Sequence, residues 1–298
     1  MFPLTRLVLA FVIFSILTSL GIFAAFALGA SPSAFLFEVV QAGAAVATLL
    51  FLVGTIEKEG EQATGFGTEG WARELGFGSV LGAGLMGLVT LIFVVSGWYR
   101  IVGTSWDRGL QPAALLAEAT AFFFLVALAE EVLFRGILFR VLEEGLGSWI
   151  AMALTGVLFG LVHAGNPNAA TAGVIGIAVV DILFVAAFML TRQLWMTIGI
   201  HWTWNLFQGP IFGFPVSGTT EDDLGFANLV NAKVDGPALL TGGTFGPEAG
   251  LLAIALGTAA GVWLLVVAFR KGRFIKPPWR RSVTSDDLLE SKPLPEPS

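Results

Sequence analysis

Three short polar stretches interrupt an otherwise apolar chain, and their residue types suit water-activating chemistry. Glu130, Glu131 and Arg135 lie within the run 117–142, His163 closes the sequence Phe159-Gly-Leu-Val-His163, and His201 and Asn205 bracket His201-Trp-Thr-Trp-Asn205. The chain has only two histidines, and both belong to this set. A carboxylate takes a proton from water, an imidazole orients that water or shares its proton, and imidazole and carboxamide N–H groups hold a developing oxyanion.

Spacing divides the work. Glu131 and Arg135 are four apart, so on a helix they share a face and can pair. Glu130 points about 100° away and is left for another task. His201 and Asn205, also four apart, aim an imidazole and an amide at one place. Each stretch alone has a structural alternative. The Glu131–Arg135 pair could lock helix packing, and His163 could serve a helix C-terminus. Trp195, Trp202 and Trp204 could form an interfacial belt, with His201 a helix–helix hydrogen bonder. Together the stretches favour a hydrolytic site, because packing alone does not require both histidines and Asn205.

The elements that position these groups are membrane helices. Only 13% of residues are charged and 55% are hydrophobic, against roughly 25% charged in soluble domains. Mean hydropathy is +0.81. An ionisable group at the centre of a membrane helix costs about 2.5–3.5 kcal/mol on insertion scales, so three in one helix imply partners or a wet cavity. About 20 apolar residues span a bilayer. The stretches 7–28, 34–56, 80–99, 112–142, 148–163, 169–190, 194–207 and 249–269 qualify or nearly do. The expected fold is all-α, a polytopic membrane bundle of about eight transmembrane helices. The first stretch is preceded by Arg6 and carries Ala25-Phe26-Ala27, like a signal peptide, but its apolar run is too long for one and reads as a retained helix.

Three parts are expected: 1–76, two helices and a polar loop; 77–271, the membrane core; and 272–298, a polar, disordered tail. The acidic, Gly-rich segment 214–248 reads as a solvated connector, with a lid as the other possibility. Arg270, Lys271, Arg273, Lys276, Arg280 and Arg281 follow the last helix, which predicts a cytoplasmic C-terminus. Eight spans then place the N-terminus inside, with Arg6, Lys58, Arg73, Arg140 and Arg192. Only Arg100, Arg108 and Lys233 fall outside. At about 1.5 Å per residue, Glu130 lies about 18 Å, His163 about 23 Å and His201 about 11 Å from the cytoplasmic ends of their helices. They meet only if the helices tilt or end unevenly.

Glu-Glu-x-x-x-Arg, Phe-x-x-x-His and His-x-x-x-Asn, in that order on successive membrane helices, resemble the motifs of the CPBP family of intramembrane proteases. That family includes the type II CAAX prenyl endopeptidases and the Abi proteins of bacteriocin processing and immunity. The resemblance covers Glu130 to Asn205, with Gly246-Pro247-Glu248 a weaker feature beyond it. It implies that Glu130 is the general base and His163 helps to position the water. His201 and Asn205 would stabilise the oxyanion, Glu131 and Arg135 would support the site, and Phe134 and Phe159 would wall it.

Cofactor use is left between two readings. Glu130, His163 and His201 make an adequate zinc set with one position for water, and the family is often labelled metalloprotease. The absence of a His-Glu-x-x-His helix, and Asn205 as a better oxyanion donor than zinc ligand, favour a metal-free glutamate mechanism. Glu38, Gln41, Glu118 and Asp181 are further intramembrane polar groups, and Asp181 is the preferred second partner for Arg135. The expected partners are the lipid bilayer and a membrane-associated peptide or protein, prenylated or not. No basic, aromatic-interleaved patch suggests nucleic acid, and oligomeric state has no signal in the sequence. The competing functions are a non-enzymatic scaffold or immunity protein and a proton-coupled transporter. The transporter lacks the pseudo-symmetric halves it would need.

Overall fold

The computed structural model describes residues 2–280, apart from the side chain of Glu61. Helices begin where the sequence frees or caps N–H groups. Pro3 and Pro112 occupy first-turn positions that need no donor, and the Ser33 hydroxyl accepts from Leu36 N at 3.1 Å. The elements in order are α1 (Pro3–Ala27), α2 (Ala34–Phe51, extended by π turns over Leu52–Glu57), α3 (Trp71–Val95), β1 (Tyr99–Thr104) and α4 (Pro112–Glu131). From α4 the chain runs without a break through π turns at Val132–Phe139 into α5 (Arg140–Leu146), then α6 (Ser148–Val162), α7 (Thr171–Thr191) and α8 (Trp195–Leu206). After further π turns at Phe207–Ile211 come α9 (Glu221–Leu224), β2 (Val230–Val234), α10 (Ala238–Thr241) and α11 (Leu251–Arg270).

Seven helical stretches among the described residues are long and apolar enough to cross a membrane. The difference from the expected eight is the run 194–207. There α8 has 12 residues, and its π extension includes Gly209 and Pro210. It is an inner helix, with ten of those 12 residues buried, and α3 packs most extensively against it. Glycines allow that approach. A Cβ on Gly78 would lie 2.1 Å from Met196 O, and one on Gly82 would lie 2.2 Å from Ile200 O. Backbone-to-backbone contact of this kind is how small residues join membrane helices. The helix α3 also starts earlier than its hydropathy suggests, at Trp71, so a boundary at 76/77 falls inside it.

At one end of the bundle, charged side chains tie the helix termini together. Arg6 Nη1 reaches Glu57 at 2.9 Å, Arg6 Nη2 reaches Glu144 at 2.5 Å, and Arg140 reaches Glu57 at 2.6 Å. Arg192 pairs with Glu143 at the same end. The start of the expected tail is anchored here: Ile275 O accepts from Ser148 N at 3.0 Å, and Phe274 stacks on Trp149 at 4.7 Å. Apolar Phe274 and Ile275 account for that docking. The rest of the expected disordered tail, 281–298, lies outside the described residues.

The opposite end holds what the hydropathy pattern hid. β1 and β2 pair antiparallel, with Tyr99 opposite Val234 and Thr104 opposite Val230. The segment 214–248 is therefore no solvated connector. Phe214, Val216, Phe226 and Phe245 are buried within it, and each has 7% or less of its surface exposed. Its glycines and acids lower the mean hydropathy, but its aromatic residues dock on the helices and draw the backbone inward.

Candidate active site

The three polar stretches come together where α4 passes α8. The regular helix ends at Glu131, and the wider π turns over Val132–Phe139 carry Arg135 on the same side. Such π segments occur often at functional sites. Glu131 is fully buried and fully engaged. Its Oε1 accepts from Arg135 Nη1 at 3.0 Å and from His201 Nδ1 at 2.7 Å, and its Oε2 accepts from Thr197 Oγ1 at 2.5 Å. Arg135 also reaches Asp181 on α7, the partner preferred from the sequence. The guanidinium lies over the rings of Phe159 and Phe184, at 4.8 and 5.0 Å from their centroids.

Glu130 is turned away from that network. Its Oε2 is buried, has no hydrogen-bond partner, and stands 3.8 Å from His201 Nε2. His201 thus links the two glutamates, with one ring nitrogen bonded to Glu131 and the other facing Glu130. The carboxylate can only accept, so His201 Nδ1 is the donor. If Nε2 is also to donate, the ring must carry both protons, and Glu131 is the counter-ion in contact with it. His163 Nδ1 likewise donates to Phe159 O at 2.7 Å. In its neutral form that leaves Nε2 as an acceptor.

Beyond His201 lies a cavity of about 50 Å³, room for on the order of one or two waters. Its polar lining is His163, His201, Asn205, Ser217 and Glu248, and its apolar walls include Phe159, Phe184 and Trp204. The Asn205 carboxamide lines it and makes no hydrogen bond among the described residues. Phe134 packs edge-on against Phe159 at 4.9 Å and does not line the cavity. Glu130 is not in the lining either and is connected to it through His201. Two of the three tryptophans are tied inward: Trp202 Nε1 donates to Thr120 O at 3.0 Å and Trp204 Nε1 to Gln208 Oε1 at 2.9 Å. Of the remaining intramembrane polar groups, Gln41 donates to Glu38 at 3.5 Å and Glu118 is exposed.

Sequence reasoning missed Thr197, Phe184, Ser217 and Gln208. Thr197 had a signal, since Thr197, His201 and Asn205 recur at four-residue spacing on one face of α8. Ser217 had none, because only the folded loop brings it to the helices, and Gln208 lies beyond the last motif, in the π turns that continue α8.

Among the described residues, no group of three His, Asp or Glu side chains is arranged to hold a metal ion. Glu130, His163 and His201 are not gathered into such a group.

The helices that carry these motifs also carry a family signature. Residues 112–207 match the family model described as type II CAAX prenyl endopeptidase Rce1-like. That match supports assignment to the CPBP/CAAX protease family. No curated protein and no solved structure matches the chain. The matched segment runs from α4 into the turns after α8, so it contains Glu130, His163, His201 and Asn205 and stops short of Glu248. In general terms this supports an intramembrane CAAX-type protease, a hydrolase integral to the membrane.

Proposed function

We propose that the chain is an intramembrane endopeptidase that hydrolyses a peptide bond of a membrane-associated substrate with water activated by Glu130. The observation that carries this reading is the contrast between neighbouring glutamates. Glu131 is saturated with donors, while Glu130 keeps a buried, partnerless oxygen 3.8 Å from His201 Nε2. A buried acceptor without a donor is costly, and a water there would satisfy it and be the nucleophile. Glu130 takes one proton as the water oxygen bonds to the carbonyl carbon. Asn205 and a doubly protonated His201 donate to the resulting oxyanion, and His163 Nε2 accepts a hydrogen bond from the incoming water.

In this reading Glu131, Arg135 and Asp181 hold His201 in register. The substrate is a prenylated CAAX-type protein or another membrane-associated peptide. Both chain termini face the cytoplasm, where the basic residues cluster. A space of about 50 Å³ does not hold a peptide, so the cavity widens when substrate enters.

Comparing protein termini in membranes expressing wild type or Glu130→Gln, matched for folded protein, tests this reading. New termini with wild type alone are expected and would identify the substrate; identical termini in both would leave Glu130 a packing residue and favour a scaffold. For the metal-free route, exhaustive chelation should leave turnover unchanged. Stoichiometric zinc whose removal abolishes turnover and whose return restores it would overturn that route.

A further inference from the structure

We propose that Glu248 is a second catalytic carboxyl group, the acid that protonates the leaving nitrogen; this rests on the protease reading above. Glu248 comes from the short turn Pro247–Ala249 ahead of α11, outside the segment that carries the family match. It has 8% of its surface exposed and lines the same small cavity as His163, His201 and Asn205. Its carboxyl is held at both oxygens, by Ser217 N–H on Oε1 and by the Gln208 side-chain amide on Oε2. Gln208 is itself fixed by Trp204 Nε1 at 2.9 Å.

The backbone is shaped to place it. Gly246 has φ +120°, and a Cβ there would fall 2.3 Å from Pro215 O, so only glycine lets the turn approach. An acid in this position complements Glu130. Glu130 lies against His201 on one side, while Glu248 shares the cavity with His201 on the other.

Hydrolysis needs both. As the water oxygen bonds to the carbonyl carbon, Glu130 takes a proton. When the C–N bond breaks, its electron pair stays on nitrogen and the proton comes from Glu248. Glu130 then holds one proton and Glu248 lacks one. Transfer between them through His201 restores the start, for a net addition of water across the amide.

Burial in the closed cavity pushes the Glu248 carboxyl up to about 7, against the opposing pull of its Ser217 donor and of His201. His163 and His201 are the titratable groups that share its cavity; the wall residues from α7, Ile177, Val180 and Phe184, are apolar. The acid acts in its protonated form, so the rate should fall as pH rises through about 7.

The test uses the full-length protein with the substrate peptide that the comparison of termini reveals, made both as the amide and as a thioester at the scissile bond. A thiolate leaves without prior protonation, so a lost acid matters only for the amide. Glu248→Gln is expected to slow amide hydrolysis by roughly 10²-fold or more, to abolish the alkaline fall, and to leave thioester hydrolysis within a few-fold. If Glu248→Gln does not reach the folded state, Glu248→Asp is read by its amide-to-thioester rate ratio, which should drop. An unchanged ratio, or an equal loss on both substrates, would overturn the acid role and leave Glu248 a clamp for the 214–248 segment. Glu130→Gln separates the readings. If its termini match wild type, the protease reading fails and this inference falls with it. If it abolishes cleavage while Glu248→Gln matches wild type, only the inference fails.

Discussion

Two charge clusters hold this molecule, one at the end where the described chain termini meet and one beside the cavity, and they differ in what they leave unpaired. At the end, Arg6, Arg140 and Arg192 share Glu57, Glu143 and Glu144, and the unpaired atoms of those arginines are the donors Arg6 Nε and Arg140 Nη2. Beside the cavity, Arg135 is shared by Glu131 and Asp181, and the unpaired atoms are the donor Arg135 Nε and, unlike at the other end, the acceptors Glu130 Oε2 and Asp181 Oδ2. A guanidinium does not give up its proton near neutral pH, so a spare N–H offers no proton chemistry. A spare carboxylate oxygen is a base. The same residue types therefore make a brace at one place and, on the function proposed above, a reactive site at the other, according to whether a carboxylate oxygen is left over.

The sharpest way to break this comparison is at the adjacent glutamates. Glu130→Gln should reduce turnover by roughly 10²–10⁴-fold, yet leave the thermal midpoint near that of wild type, since no protein hydrogen bond is lost. Glu131→Gln should lower both, because Arg135, Thr197 and His201 all donate to that carboxylate. Equal destabilisation by the two variants would show that both glutamates are braces. Next in size is Arg135→Met, which strips the buried counter-ion from Glu131 and Asp181. Removing one partner of a buried pair costs about 3–5 kcal/mol, so unfolding in detergent should shift by that order. Asp181→Asn should cost less, about 1–3 kcal/mol, with some loss of turnover as Arg135 tilts. Full stability and activity in Asp181→Asn would remove Asp181 from the network.

How much of this was legible in the sequence depended on distance along the chain. Glu131 with Arg135 followed from helical spacing, and Asp181 from being an isolated charge midway along another apolar run. The helices themselves followed from hydropathy, because a bilayer leaves the backbone few other ways to satisfy its polar groups. The short α8 was harder, since hydropathy measures apolarity and not whether lipid or protein surrounds the helix. The β1–β2 ribbon joins strands over 120 residues apart with no local turn to announce it. Glu248 entered only through the weaker feature Gly246-Pro247-Glu248, with no role attached to it. Its approach to the cavity depends on Phe214, Val216 and Phe245 burying the loop, and their periodicity is neither 3.6 nor 2.

The smallest expected effect tests the brace. Glu57 has a side chain 3% exposed and accepts from Arg6 at 2.9 Å and from Arg140 at 2.6 Å. Glu57→Gln keeps one acceptor oxygen and loses the charge, leaving two arginines with less compensation where α1, α2 and α5 meet. A hydrogen bond to a charged group is worth about 1.5–3 kcal/mol, and relaxation toward headgroup and water at a helix end should bring the cost to about 1 kcal/mol. Turnover per folded molecule should be unchanged, because none of these groups lines the cavity. A fall in turnover at full stability would mean that the two clusters are linked through the continuous helix Pro112–Leu146, on which Arg140 and Glu130 both sit. The π turns between them would be the element that yields, since Arg140 Nε also holds Gly136 O at 2.9 Å, within those turns.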